Sequence, residues 1–187
     1  MSPPSNYFDF FGLPHKLNLD SKDLESRFYA LSKQWHPDRF ARGSPEQRRI
    51  SEDATATLND GYRTLREPVA RAEYLLKEHG FDVGEQKSSN IPPELLEEVF
   101  ELNMALEEID TSRPQLEDAR QKFLAMREDL DRELFTQFAA YDENQEKAVL
   151  EKVRAILNRR TYIRNLVNQV EDALSTGRVR QALRHDL

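Results

Sequence analysis

Apolar residues recur at helical spacing along most of the chain, and the breaks fall at prolines and glycines. Leu24, Phe28, Leu31 and Trp35 stand at i, i+4, i+7 and i+11, on one face of an α-helix that Asp20 or Ser21 can cap. Pro37 stops that helix. Ser44 followed by Pro45 opens the next one, with Ile50, Ala54, Leu58 and Leu65 facing inward. Pro68 opens a further segment that closes at Gly80, and the short apolar piece Tyr7–Phe11 is ended by Gly12 and Pro14. Only 6 glycines occur, and Glu, Leu, Arg and Ala dominate, so composition agrees with an all-α fold.

A polar stretch, Phe81–Ile91, lacks an apolar period and reads as a connector between residues 1–80 and a second region over 92–174. The second region starts at Pro92–Pro93. Leu95, Val99, Leu102, Leu106 and Ile109 form a first helical seam. Pro114 starts another helix, with Leu116, Phe123, Leu130 and Phe138 on or near one side. A third is expected over roughly Glu143–Leu174, with Val153, Ile156, Ile163, Val167, Val170 and Leu174 inward. Three such helices with short turns make an antiparallel three-helix bundle. The tail, residues 175–187, is polar and expected to be loose.

Charge divides along the same line. Residues 1–80 hold 12 Lys+Arg and 12 Asp+Glu, so the net −7 lies beyond them. That asymmetry suggests two modules with different partners, and an acidic second module argues against nucleic acid as its main ligand. There is no cysteine, so disulfides, thiolate catalysis and Cys-ligated metal are excluded. His15, His79 and His185 are scattered, with no metal-ligand spacing. No cofactor, catalytic residue or metal site is expected. No apolar run is long enough to cross a bilayer, and the N-terminus resembles neither a secretory signal nor a transit peptide. A bacterial cytoplasmic location is expected, with a mature mitochondrial form left open.

His36-Pro37-Asp38 sits between two amphipathic helices, with Lys33 just upstream and a polar loop, DRFARGSPE, after it. Pro37 fixes its own φ and biases His36 away from helix, so the turn projects stiffly. Asp38 then offers a carboxylate that a partner arginine can take by a charge-assisted contact.

The helix after Pro92–Pro93 has more apolar surface than one seam needs. Leu96, Phe100 and Met104 stand at i, i+4 and i+8, about 100° from the first stripe. Glu97, Glu101 and Glu108 flank them, which is the anatomy of a modest protein interface. The alternative is that these apolar residues pack inside the molecule and the glutamates are a plain solvated face.

The tripeptide between paired helices resembles a J-domain. The match sharpens in Tyr7–Pro14, in Arg27-Phe28, in Gln34–Phe40 and in Leu58–Asp82, notably Arg71-Ala72-Glu73-Tyr74-Leu75-Leu76, which resemble the HscB family of co-chaperones. The resemblance is specific over residues 7–82 and is one of plan over 92–174. It implies an N-terminal J-domain and a C-terminal scaffold-binding bundle. The role implied is not enzymatic: His36, Pro37, Asp38, Arg27, Lys33 and Arg39 dock on a DnaK-type ATPase (HscA-like) and stimulate it. It further implies that Leu96, Glu97, Phe100, Glu101, Met104 and Glu108, with Tyr162 on the last helix, bind an IscU-like iron–sulfur scaffold protein. Glu97 and Met104 depart from the family's usual residues. Arg71 and Glu73 are expected to join the two domains through ion pairs. Competing readings are a general J-domain co-chaperone with another client, and a structural adaptor that leaves the ATPase untouched; an enzyme would need a nucleophile–base or metal constellation that the sequence lacks.

Overall fold

The computed structural model describes residues 6–82, 97, 100, 101, 103, 104 and 113–176. Among them every regular element is helical: α1 Tyr7–Phe11, α2 Ser21–Trp35, α3 Pro37–Phe40, α4 Pro45–Arg66, α5 Pro68–Glu78, α6 Arg113–Asn144 and α7 Lys147–Thr176. Residues 97, 100, 101, 103 and 104 are also helical. The expected seam at Leu95, Val99, Leu102, Leu106 and Ile109 and most of the tail lie outside the described residues.

Local chemistry sets the helix ends. Asn6 caps α1 by accepting from the backbone N–H groups of Phe8 and Asp9, and Asp20 caps α2 by accepting from those of Lys22 and Asp23. Ser44 and Gln47 form a reciprocal capping box at α4. Gly12 ends α1 in the left-handed region, at φ 63°, where a side chain would be strained. The α6–α7 turn comes at Gln145, φ 53°, so α6 runs on through Asn144 and α7 starts at Lys147 rather than near Glu143.

The described residues of Met1–Asp82, together with Phe138–Gln145, form one compact unit; those of Val83–Gln137 and Glu146–Leu187 form a second. In the first, α2 packs on α4, and Phe8, Phe11, Leu17, Leu24, Leu58, Leu65, Leu75 and Leu76 are buried. Phe28 is half-buried and stacks on Tyr62, with ring centroids 4.3 Å apart. Gly61 lets α1 close on α4, since a Cβ there would lie 3.0 Å from the Phe11 ring and 3.1 Å from the Tyr7 ring.

Buried Arg71 is the hub of this unit. Its Nε donates to the Leu17 carbonyl at 2.8 Å and its terminal nitrogen to the Leu65 carbonyl at 2.5 Å. Burial pushes its basicity down, opposed by the charges of Asp142 and Glu67. The partners of Arg71 are thus carbonyls, not the carboxylates expected from sequence. Asp142 accepts from the backbone N–H of Leu17 at 2.6 Å and of Asn18 at 2.8 Å, beside the fully buried Phe138 and Tyr141.

In the second unit, Leu116, Phe123, Leu130 and Leu134 of α6 are buried, as are Val153, Ile156, Ile163, Val167 and Val170 of α7. Leu174 is only half-buried; Ala173 takes the inner position beside it. Ion pairs Arg160–Asp131 (2.5 Å) and Arg120–Glu171 (2.9 Å) tie α7 to α6.

Candidate functional site

The His36-Pro37-Asp38 turn lies at the end of α2. His36 is extended (φ −58°, ψ 128°), and Pro37 begins the single turn of α3. Pro37 fits that place because the first turn of a helix has no use for its missing N–H. The His36 ring accepts the Asp38 backbone N–H on Nδ1 at 3.2 Å. In the neutral ring this puts the proton on Nε2, which stays a donor toward solvent. Asp38 Oδ2 is 3.6 Å from the same Nδ1, and the Asp38 side chain is 89% exposed.

What holds the turn is made just beneath it. The carbonyl of Trp35, at the C-terminal end of α2, has lost its helical partner. It accepts the Ser51 hydroxyl at 2.7 Å and the Thr55 hydroxyl at 3.2 Å, both from α4. Ser51 is fully buried. The Trp35 and Phe40 rings stack across the turn, 6.3 Å apart and 13° from parallel. Neither hydroxyl was legible as functional. The signal available was a Ser and a Thr four residues apart beside the apolar face of α4.

The basic residues divide by role. Lys33 is exposed, and Arg39 is exposed and donates to the Lys33 carbonyl at 3.2 Å. Arg27 is half-buried. It pairs with Asp23 at 2.9 Å and donates to the carbonyls of Phe11 at 3.1 Å and Gly12 at 2.8 Å. Its donors therefore close the C-terminal end of α1 on α2.

The second patch lies on the residues described around position 100. Phe100 is 65% exposed and Met104 42% exposed, and Glu97 and Glu101 are exposed as well. Leu96 and Glu108, expected on the same face, lie outside the described residues. Tyr162 of α7 is half-buried rather than open, and the Asn103 amide Nδ2 donates to its hydroxyl at 2.5 Å. Burial pushes the Tyr162 hydroxyl up to about 12, partly opposed by the bond from Asn103. A shallow cleft on the second unit is lined by Met126, Asp129, Leu130, Glu133, Arg159 and Ile163. Among the described residues no group of three His, Asp or Glu side chains is placed to hold a metal ion, and no helix is long and apolar enough to cross a membrane.

Residues 91–171 match the family described as "HSCB C-terminal oligomerisation domain". The co-chaperone protein HscB homolog of Aliivibrio salmonicida (strain LFI1238) is 34% identical over 169 residues, which cover 89% of this chain and 95% of that protein. The solved structure of chaperone HscB from Vibrio cholerae is 32% identical with a TM-score of 0.64, over 92% of this chain and 99% of that one. The crystal structure of human co-chaperone protein HscB shares the fold, with a TM-score of 0.68 at 24% identity, over 91% of this chain and 84% of that one. The architecture is thus that of a co-chaperone with a J-domain and a helical C-terminal bundle. The chain belongs to the HscB family.

Proposed function

We propose that this chain stimulates ATP hydrolysis by a DnaK-type, HscA-like chaperone through its His36–Asp38 turn, and delivers an IscU-like iron–sulfur scaffold protein to it through the face that carries Phe100 and Met104. The chain works in the cytoplasm, has no catalytic activity of its own and uses no cofactor. The observation that carries the first half is the Asp38 carboxylate, 89% exposed on a turn whose base is pinned to α4. A stiff, solvent-facing carboxylate loses little entropy when a partner arginine takes it. His36 Nε2 offers a donor beside it. Lys33 and Arg39 add positive charge at the rim, where they speed encounter more than they tighten the complex. Arg27 contributes by holding α1 and α2 together.

Support for the second half is the exposure of Phe100 and Met104 next to Glu97 and Glu101. Leu96, Glu108 and Tyr162 complete the proposed scaffold-binding set. Asp38→Asn keeps the shape and removes the charge. It is expected to abolish stimulation of a purified DnaK-type ATPase while the circular dichroism spectrum and melting temperature stay as they are; full stimulation by this variant would sink the proposal. Phe100→Ala is expected to weaken binding of a purified IscU-type protein by about 2 kcal/mol, the scale of an interface anchor. Unchanged affinity by titration calorimetry would remove the face from the site.

The description of the matched C-terminal family as an oligomerisation domain favours a second reading, in which the Phe100 and Met104 face meets a second copy of the chain. Sedimentation of Phe100→Ala against the unaltered chain separates the two, since only self-association makes the mass of the unaltered chain alone rise with concentration.

A further inference from the structure

The stretch Lys33–Arg49 holds five cations and two acids, a local excess of positive charge in a chain of net −7. Lys33 and Arg39 lie together on the α2 side of the turn, since the Arg39 guanidinium reaches back to the Lys33 carbonyl. Arg48 lies on the α4 side. The Trp35 carbonyl meets Ser51 and Thr55, so the end of α2 is level with those residues, and α3 packs on α4 beyond them. Arg48 is about one turn before Ser51 and within about 20° of Thr55 around α4, which sets it on the flank of that helix nearest the turn. Arg49 stands on another face, about 160° from Ser51. Arg42 is exposed in the loop that joins α3 to α4. Arg48 is exposed too, and among the described residues neither side chain has a partner. Stability gives no reason for Arg48. It sits in the first turns of α4, the positive end of the helix dipole, where a cation is disfavoured. Glu52 follows it at i+4, but an acid after a base is the weaker order, and no ion pair joins them.

We propose that Arg48, with Arg42, forms a second basic flank of the turn, so that the Asp38 carboxylate stands between cations on α2 and cations on α4 and fits an ATPase surface on which one arginine is bracketed by acidic residues on both sides. This rests on the docking reading given above for the turn. An exposed carboxylate by itself can pair with any accessible arginine. The two flanks add a filter. A surface that offers cations alone is repelled by Lys33 and Arg39 on one side and by Arg48 and Arg42 on the other, and a surface that offers acids alone is repelled at Asp38. At physiological salt the screening length is about 8 Å, so the filter acts through charges next to the turn and not through the charge of the whole chain. Arg48 and Arg42 are the new residues in this site, and they decide which ATPase is met and how fast.

The test uses the full chain, labelled at its N-terminus, and a purified DnaK-type ATPase. Association and dissociation are followed by stopped-flow anisotropy for Arg48→Gln, Arg42→Gln, the double variant and Arg49→Gln, a change of equal charge on the other face of α4. Asp38→Asn is the reference for the turn. At about 0.15 M salt the double variant is expected to associate roughly fivefold to tenfold more slowly, with dissociation within about twofold of the unaltered chain. At about 1 M salt, where the screening length is about 3 Å, the difference should vanish. Arg49→Gln should stay within about twofold throughout. Arg48→Gln should melt no lower than the unaltered chain, because it takes a misplaced cation from the helix end; a purely structural role for Arg48 would lower the melting temperature and leave the salt dependence alone. Equal slowing by Arg49→Gln would show that net charge acts and not a flank, and would overturn the proposal. So would unchanged association in the double variant while Asp38→Asn still abolishes stimulation; that result leaves the turn standing. Full stimulation by Asp38→Asn removes the turn and the bracket around it together.

Discussion

The turn at His36–Asp38 depends on one carbonyl with two donors, and that arrangement predicts a specific non-additivity. Ser51→Ala removes a 2.7 Å bond to the Trp35 carbonyl and leaves the 3.2 Å bond from Thr55 in place. A neutral hydrogen bond is worth about 1 kcal/mol net, so with its acceptor still served the single change should cost about 0.5–1 kcal/mol. Thr55→Val, which loses the longer bond, should cost less. Together they leave the end of α2 with an unserved carbonyl beneath half-buried Trp35, which adds a desolvation penalty of about 1–2 kcal/mol. The double variant should therefore lose about 2–3 kcal/mol, more than the two singles together, because residues that share a partner couple. For a unit of this size that is a fall of roughly 8–24 °C in melting temperature. Function should fall with it: at 25 °C, where most molecules remain folded, half-maximal stimulation of the ATPase should need several-fold more of the double variant. The assay is thermal circular dichroism on four chains, followed by ATPase titration. Strictly additive losses, or a double variant that melts with the unaltered chain, would show that the two hydroxyls do not hold the turn.

Asp142→Asn replaces one of two charge-assisted acceptors by an amide nitrogen facing a backbone N–H, and takes a negative charge from the neighbourhood of Arg71. It should lower stability by about 2 kcal/mol, measured by urea denaturation, while leaving the helical content of the folded chain unchanged. The Tyr162 hydroxyl, pushed up to about 12 by burial, gives a pH signature. The folded chain holds this proton longer than the unfolded one, so its stabilising effect is complete below pH 10 and is lost as the pH rises toward 12. Tyr7, Tyr74 and Tyr141 shift in the same direction, so the quantity to measure is the difference between the unaltered chain and Tyr162→Phe. Discounted for partial exposure, that difference should narrow by about 1 kcal/mol between pH 9 and 12; a flat difference would contradict it.

Helix spans were legible where caps and prolines announced them. Asp20, Ser44 and Pro68 begin or immediately precede α2, α4 and α5, and the apolar residues singled out on α6 are buried. The turn near residue 145 was harder, because Glu143 and Asn144 are acceptable at either end of a helix and the reversal falls on a non-glycine. The membership of Phe138–Gln145 in the N-terminal unit could not be read locally. Periodicity shows which face of a helix is apolar and says nothing about which core the end of that helix joins. Arg71 was read as an ion-pairing residue because burial, which turns it toward carbonyls, is a property of the whole unit. At the sites, the tripeptide and the exposed stripe were visible as letters. The groups that hold the turn, Ser51 and Thr55, were not, because a pattern of apolar residues passes over the polar ones set among them.

This difference separates two kinds of residue in the molecule. Asp38 and Phe100 face solvent, so removing them takes little from the folded state, and any loss of activity reports on a partner. Ser51 sits inside, bonded to the backbone carbonyl at the base of the turn, so changing it alters shape before it alters contact. The exposed turn thus has a polar group beneath it that fixes where it points. Polar bonds suit that task better than apolar packing, because a hydrogen bond is directional and an apolar contact tolerates rotation. The consequence is that Ser51 and Asp38 should couple in a double-mutant cycle on stimulation of the ATPase. The inner variant should lose its effect on binding once the outer one has been removed, since nothing is left for it to aim.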